Sequence, residues 1–382
     1  MHRRLRIITT ALDKQSSLRS SPTRSPLSIV LAQRPATWPE RRKEMASHKK
    51  SIRQVSFESR HTLSSESEHY THPSPRRRTV KLWGKQLENS GLEDGTGIER
   101  QKSFKWIRGQ VIGKGTHSHR RVYLGLDATS GEMMAVKQLS FPQNLGELPG
   151  RPSARIVERE LENMKGLRHP NLIEYLGLEE TGDVISIFME YVGGSIRANV
   201  RQYGALDADV VKSFTSQILD GLIYLHAKGL IHGALKSSNV LVEPTGTCKI
   251  EGLCCSETEI RDNSRAIPGA IFWTAPEIIK TQYKAYDSKA DIWSLGCIVL
   301  EMVTGKRPWF NTEAVAVMFK LYQQTLRPHP LDDLELDPVA ADLMEKCLTL
   351  KPEDRLSAVE LKQHHYLGLS PEHSFQGFRP AV

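Results

Sequence analysis

From Phe104 onward, apolar and polar residues alternate in short runs that end in turn residues. "FKWIRGQVIGKG", "RRVYLGLDA" and "EMMAVKQLS" each show the period of two that buries one face of a strand, and together they predict three antiparallel strands. The period then changes. "ARIVERELENMKGL" brings Val157, Leu161 and Met164 to one face of a helix. Two further strands follow in "IEYLGLEE" and "VISIFMEYV". Beyond Gly194 the pattern is mostly helical, in "ADVVKSFTSQILDGLIYLHAKG", "SKADIWSLGCIVLEMVTG", "EAVAVMFKLYQQ" and "PVAADLMEKCLTL". The succession predicts an α+β fold of two lobes. A small β-rich lobe with one helix spans about residues 101–192, and a larger helical lobe spans about 193–369. Residues 370–382 read as a short C-terminal tail.

Residues 1–100 carry no such period. "LRSSPTRSP", "ERRKEMASHKK" and "SSESEHYTHPSPRRRT" are rich in Ser, Pro and Arg, the composition of a chain with too few apolar residues to form a core, so this stretch is expected to be a disordered basic tail. Its start is Arg-rich and acid-poor, like a mitochondrial presequence; the plainer reading is a solvated end. "PRRRTVK" has the makings of a nuclear signal or a phosphoinositide patch, although a short basic run is commonly just solvated. "RQVSF" sets Arg53 three residues before Ser56, a weak phosphosite pattern.

Charge follows the same division. The net of +8 over 382 residues comes from residues 1–100, which hold 20 Lys/Arg against 10 Asp/Glu; the remaining chain holds 32 against 34. The globular part is therefore nearly neutral and offers no basic stripe for nucleic acid. No run approaches the roughly 18 apolar residues of a membrane span. The five cysteines (Cys248, Cys254, Cys255, Cys297, Cys347) lack zinc-ligand spacing, which fits a reducing cytoplasm, with the nucleus as the alternative.

Several segments remain that neither periodicity nor composition explains. Gly113 and Gly115 stand at the end of the first strand, Lys137 lies in "AVK", and Glu160 sits on the helix before "RHPN". "HGALKSSN", "CKIEGLCC", "GAIFWTAPE", "ADIWSLGCIVLEMVTGKRPW" and "KPEDRLSA" follow in that order. From about Phe104 to Leu369 the chain resembles a eukaryotic protein kinase, and it is most similar to the fungal MAP kinase kinase kinases of the cell-wall integrity pathway. No single segment carries this likeness; their succession does.

The resemblance implies a nucleotide pocket and a damaged catalytic centre. Such kinases cover ATP phosphates with G-x-G-x-x-G-x-V, because glycine lets backbone N–H groups come close. Here Gly113 and Gly115 are present, the third glycine is missing, and Val122 arrives two residues late. Lys137 matches the phosphate-holding lysine, and Glu160 the helix carboxylate expected to brace it. Val122 and Ala135 fall on the adenine faces and Met189 at the back of the pocket.

The family's H-R-D-L-K-x-x-N loop, whose Asp positions the attacking hydroxyl, reads "HGALKSSN". Gly233 replaces the Arg and Ala234 the Asp, while Lys236 and Asn239 remain. At the metal-binding D-F-G, Gly252 takes the place of the Asp; a slip of one residue would offer Glu251 instead. Ala270 replaces the hydroxyl of the substrate-holding segment. Glu277 and Arg355 match a buried ion pair, and Asp291 the helix Asp that ties down the catalytic-loop backbone.

A positioned general base contributes ~10²–10⁴ in rate, and a neutral amide such as Asn239 is a weak ligand for a hard dication. The expectation is therefore a pseudokinase that acts as scaffold or allosteric partner among the kinases of a MAPK cascade. ATP would be held weakly or without metal. The alternative is a residually active Ser/Thr kinase, with Lys236 and Glu251 standing in and Mg²⁺ held by Asn239 with Glu251.

Overall fold

The computed structural model describes residues 78–83, 104–114, 120–140, 154–252, 255–256, 270–281, 286–323, 327–328, 336–369, 375 and 377–378. All belong to one compact unit, His69–Val382. The small lobe is a six-stranded antiparallel sheet, in the order β1-β5-β6-β4-β3-β2. Its strands are β1 (Arg78–Leu82), β2 (Trp106–Lys114), β3 (Arg120–Asp127), β4 (Met133–Ser140), β5 (Tyr175–Thr181) and β6 (Val184–Glu190). The strands forecast from alternation all form, and the helix α1 (Ala154–Met164) lies where its stripe placed it. Val157, Leu161 and Met164 are all buried.

The strand β1 lies inside the stretch expected to be disordered, so the boundary at residue 100 moves. It pairs with β5 at the sheet edge, with Val80 opposite Glu179 and Leu82 opposite Gly177. Val80 and Leu82 turn toward Phe104, Met134, Val136 and Phe188, while Lys81 faces solvent. Trp83 follows with 5% exposure, and its N–H donates to the Leu176 carbonyl at 2.9 Å. A five-residue strand has little stability alone; it forms here because it completes an edge and buries a tryptophan.

The large lobe is helical: α2 (Ile196–Tyr203), α3 (Ala208–Ala227), α4 (Pro276–Lys280), α5 (Lys289–Thr304), α6 (Ala314–Gln323), α7 (Pro338–Cys347) and α8 (Ala358–Lys362). Asp207 caps α3 by accepting the Asp209 N–H at 2.9 Å. The helix α5 is buried without interruption from Ala290 to Met302, so it forms the centre of the lobe and not an amphipathic wall. Two short two-stranded sheets line the side facing the small lobe: β8 (Val240–Val242) with β9 (Cys248–Ile250), and β7 (Leu230–Ile231) with β10 (Cys255–Ser256). Backbone bonds from Ile250 N–H to Asn171 O and from Ile173 N–H to Ile250 O, at 2.9 and 3.0 Å, fasten β9 to the segment entering β5.

The expected C-terminal tail also contributes to the core. The Phe378 ring stacks on Tyr203 at 5.6 Å, and both Phe375 and Phe378 lie 5.9 Å from Phe214 on α3. No helix among the described residues is long and apolar enough to cross a membrane.

Candidate functional site

The register of the sheet assembles the expected nucleotide-facing residues. Gly113 on β2 lies opposite Val122 on β3, which lies opposite Lys137 on β4. Two residues along β4, Ala135 lies opposite Met189 on β6. Both are buried, as a strand at the sheet centre requires. Gly115 and the "THSH" insertion lie outside the described residues.

Lys137 reaches across the cleft. Its Nζ donates to Glu251 Oε1 at 2.7 Å, so a carboxylate outside the helix receives it; Glu160, the brace expected from sequence, lies buried on α1. The reason is the way Glu251 is held as the chain leaves β9. Its N–H donates to the Asn239 carbonyl at 2.7 Å, and its own carbonyl accepts from His232 Nε2 at 3.2 Å. With the backbone clamped on both sides, the two-methylene stem aims the carboxylate at Lys137. Burial pushes the Glu251 carboxyl up; the charge and hydrogen bond of Lys137, with His232 and Lys236 nearby, outweigh it and hold the group below the usual carboxylate range.

The loop at His232–Asn239 is tied down from below. Asp291, at the start of α5, accepts the N–H of His232 at 3.0 Å and of Gly233 at 2.8 Å, and lies 2.9 Å from His226 Nε2. This is the tie expected of Asp291. Burial raises its pKa, but the hydrogen bond and charge of His226, the charge of His232 and the Gly233 N–H together lower it below that of an ordinary aspartate. The Asn239 amide donates to the Ala234 carbonyl at 3.1 Å. His232 Nδ1 accepts the Ala234 N–H at 3.2 Å, which leaves Nε2 as the donor to Glu251. The groups that would meet a metal nucleotide are thus engaged with one another.

Gly252 holds a backbone conformation that favours glycine. Its φ is +151°, outside the range that other residues ordinarily adopt. A Cβ placed there would stand 2.5 Å from His232 Nε2. The Gly252 N–H donates to the Tyr175 hydroxyl at 3.2 Å. Gly233 has φ +67°, and a Cβ there would meet the Tyr286 hydroxyl at 2.7 Å. Ala270 is buried, and its carbonyl accepts from Thr274 Oγ1 at 2.9 Å.

The donor set does not fit Mg²⁺-ATP. Ala234, Gly252 and Ala270 supply no side-chain oxygen and Glu251 is paired with Lys137, which leaves the neutral Asn239 Oδ1, accepting from Ser238 Oγ at 3.4 Å, as a weak ligand for a hard dication. Among the described residues, no cluster of three or more His, Cys, Asp or Glu has a metal-holding arrangement.

The frame beneath the site is complete. Arg355 Nη1 and Nη2 donate to the two Glu277 oxygens at 2.7 and 3.2 Å, and both residues are buried. This is the expected pair, in the two-toothed geometry that suits guanidinium to carboxylate. His232, His226 and Tyr175 were assigned no role from sequence. His232 opens the quoted "HGALKSSN" segment, which was the available signal; nothing in the sequence singles out Tyr175.

Comparison with known proteins agrees with this geometry. The protein kinase domain model matches residues 106–367. The chain is 37% identical over 315 residues to MAP kinase kinase kinase mkh1 of Schizosaccharomyces pombe, covering 79% of this chain and 28% of that protein. It is 38% identical over 320 residues to the serine/threonine-protein kinase BCK1/SLK1/SSP31 of Saccharomyces cerevisiae, covering 80% and 21%. With the mitogen-activated protein kinase kinase kinase bck1 of Aspergillus fumigatus the identity is 40% over 291 residues, covering 72% and 18%. The matched region is thus only 18% to 28% of each of these relatives. Sheet, helical lobe and motif order all place residues 106–367 in one family, and the chain belongs to the protein kinases, with fungal MAP kinase kinase kinases among its relatives.

Proposed function

We propose that this chain is a pseudokinase: a protein-kinase fold that works through contacts with other kinases or scaffold proteins of a MAP kinase cascade and not by phosphotransfer. The observation that carries this reading is the Lys137–Glu251 pair at 2.7 Å. It ties the expected phosphate-holding cation to the carboxylate one residue before Gly252, the position where the family holds its metal ligand. Ala234 removes the group that would orient a substrate hydroxyl, a contribution worth roughly 3–5 kcal/mol of barrier. The intact Glu277–Arg355 and Asp291 ties support a module kept folded for another purpose. The cascade is suggested by the relatives' names, and the cytoplasm, with the nucleus second, is the compartment proposed for it.

The test is thermal stabilisation of the purified chain by ATP with and without Mg²⁺, alongside γ-phosphate transfer to a generic basic protein. Weak stabilisation that Mg²⁺ does not increase, with no transfer, is expected. A second reading, a residually active kinase, draws on Glu251 as the carboxylate nearest Lys137. A large Mg²⁺-dependent shift together with transfer would establish that reading and overturn the first.

A further inference from the structure

The helix α6 buries one face and leaves the other bare. Val317 and Leu321 are fully buried, while Val315, Met318, Phe319 and Tyr322 are 74%, 44%, 61% and 59% exposed. These four stand at i, i+3, i+4 and i+7, which makes one stripe along the outer face of the helix. Phe310, just before the helix, is 43% exposed as well. Scattered single apolar residues are normal on a surface; a continuous stripe with three aromatic rings at one place is not.

We propose that this stripe is a self-association surface, through which two copies of the chain pair about a two-fold axis. Three observations select a second copy as the occupant. The first is charge. The stripe and the exposed Ala314, Ala316 and Gln323 beside it are uncharged, and the helix's one charged residue, Lys320, is half-buried with its ammonium 5.8 Å from the Trp309 ring centre. A stripe uncharged along its length does not repel its own copy, and the charges at its N-terminal end, Glu313 and Lys306 (its ammonium 5.2 Å from the Phe310 ring centre), are of opposite sign.

The second is symmetry. The stripe is centred between Met318 and Phe319, so an antiparallel pairing sets Val315 against Tyr322 and Met318 against Phe319. Each side chain meets one of different shape, which is the self-complementarity that a two-fold interface requires. Glu313, exposed at the start of the helix, would lie about 16 Å from its symmetry mate at 1.5 Å of rise per residue, beyond the screening length of about 8 Å at physiological salt.

The third is area. With aromatic side chains of about 150–250 Å² each, the exposed parts of these five residues come to roughly 500 Å² per copy. A pair then buries about 1,000 Å², the lower bound for a specific interface and the size of a weak, reversible dimer.

The test is sedimentation velocity of the full chain at concentrations from about 1 to 200 μM, a range that brackets the dissociation constant expected of such an interface. The weight-average mass should rise from 43.1 kDa toward twice that value. Phe319→Asp and Tyr322→Asp should each remain monomeric across the range, with the melting temperature and far-UV circular dichroism of the unaltered chain, because both side chains are already in solvent. An unaltered chain that stays at monomer mass throughout overturns the proposal. So does association that both variants retain, which places the contact elsewhere. A monomeric chain that binds a partner kinase, and loses that binding with Phe319→Asp, assigns the stripe to a different occupant and likewise overturns it.

Discussion

Replacing Lys137 with Met tests the pair at the centre of the proposed site. In the folded chain the Lys137 and Glu251 side chains are 24% and 14% exposed and meet at 2.7 Å. At an effective dielectric of 20 that separation gives about 6 kcal/mol of gross attraction, most of it offset by removing two charges from water. Breaking one side of a buried pair costs about 3–5 kcal/mol; the residual exposure here reduces the figure to about 2 kcal/mol.

The pH dependence separates this pair from a generic loss of packing. Burial raises the Glu251 carboxyl, and Lys137 is the foremost group lowering it. With the folded value depressed, its contribution is complete above the unfolded value of about 4.3 and is lost as pH falls through the folded value. Without Lys137, burial dominates and the folded value rises above the unfolded one. The contribution then changes sign: the carboxylate destabilises at neutral pH and is relieved by protonation. The deficit of Lys137→Met should therefore be greatest near pH 7 and shrink toward pH 4.

The assay is urea unfolding followed by tryptophan fluorescence, as a double-mutant cycle with Glu251→Gln. Coupling of about 1.5–2.5 kcal/mol at pH 7 is expected. Coupling below about 0.5 kcal/mol, or larger coupling of Lys137→Met with Glu160→Gln than with Glu251→Gln, would refute the assignment.

Three further outcomes follow from the same contacts. Trp83→Ala, or a chain beginning at residue 101, should lose about 3–5 kcal/mol in chemical denaturation relative to a chain beginning at residue 75, because Trp83 is 5% exposed beneath the sheet edge. Phe378→Ala should lower the melting temperature by several degrees through loss of its contacts with Tyr203 and Phe214, and a chain ending at residue 370 should lose at least as much. Gly252→Asp should destabilise the fold by about 1–3 kcal/mol and give no Mg²⁺-dependent ATP stabilisation, since φ +151° and the His232 ring both oppose a side chain there; a clear Mg²⁺-dependent shift in that variant would show that the backbone rearranges freely.

What the sequence disclosed and what it hid differ by range. The strands and α1 were legible because each signal lies within its own segment: alternation in "EMMAVKQLS", or the Val157, Leu161 and Met164 stripe. The same holds for Lys137, Asp291 and the Glu277–Arg355 pair, whose motifs come in a fixed order. The strand β1 was hidden because "RTVKL" follows basic residues, and its partner β5 lies more than ninety residues away. Phe375 and Phe378 were hidden for a similar reason, since a short, mostly polar end with two aromatics looks like a tail until Phe214 and Tyr203 are seen beside it. The partner of Lys137 depended on a tertiary choice between two glutamates. The clamping of Glu251 by Asn239 and His232 brings it to Lys137, and no local pattern reports that clamp.

The departures from the kinase pattern are joined through shared partners, so restoring them one at a time is expected to fail. His232 is bonded to both Ala234 and Glu251 and stands against the face of Gly252. Asn239 bonds Ala234 through its amide and Glu251 through its carbonyl. Glu251 in turn holds Lys137, and the next residue's N–H is taken by Tyr175. A carboxylate restored at position 234 would still lack a second carboxylate at 252 to hold a metal. One restored at 252 would have to displace His232, and with it the clamp that aims Glu251. A lysine freed from Glu251 would leave a buried carboxylate without its main partner. Each isolated restoration therefore disturbs a contact that another altered position now depends on, and effects of groups that act as a unit do not add. On the proposed pseudokinase reading, the cleft serves as a hydrogen-bonded joint between the segment after β9, the loop before β8 and β4. Those bonds fasten the segment after β9 to the loop before β8 and to β4, a rigidity that would suit the binding module proposed above.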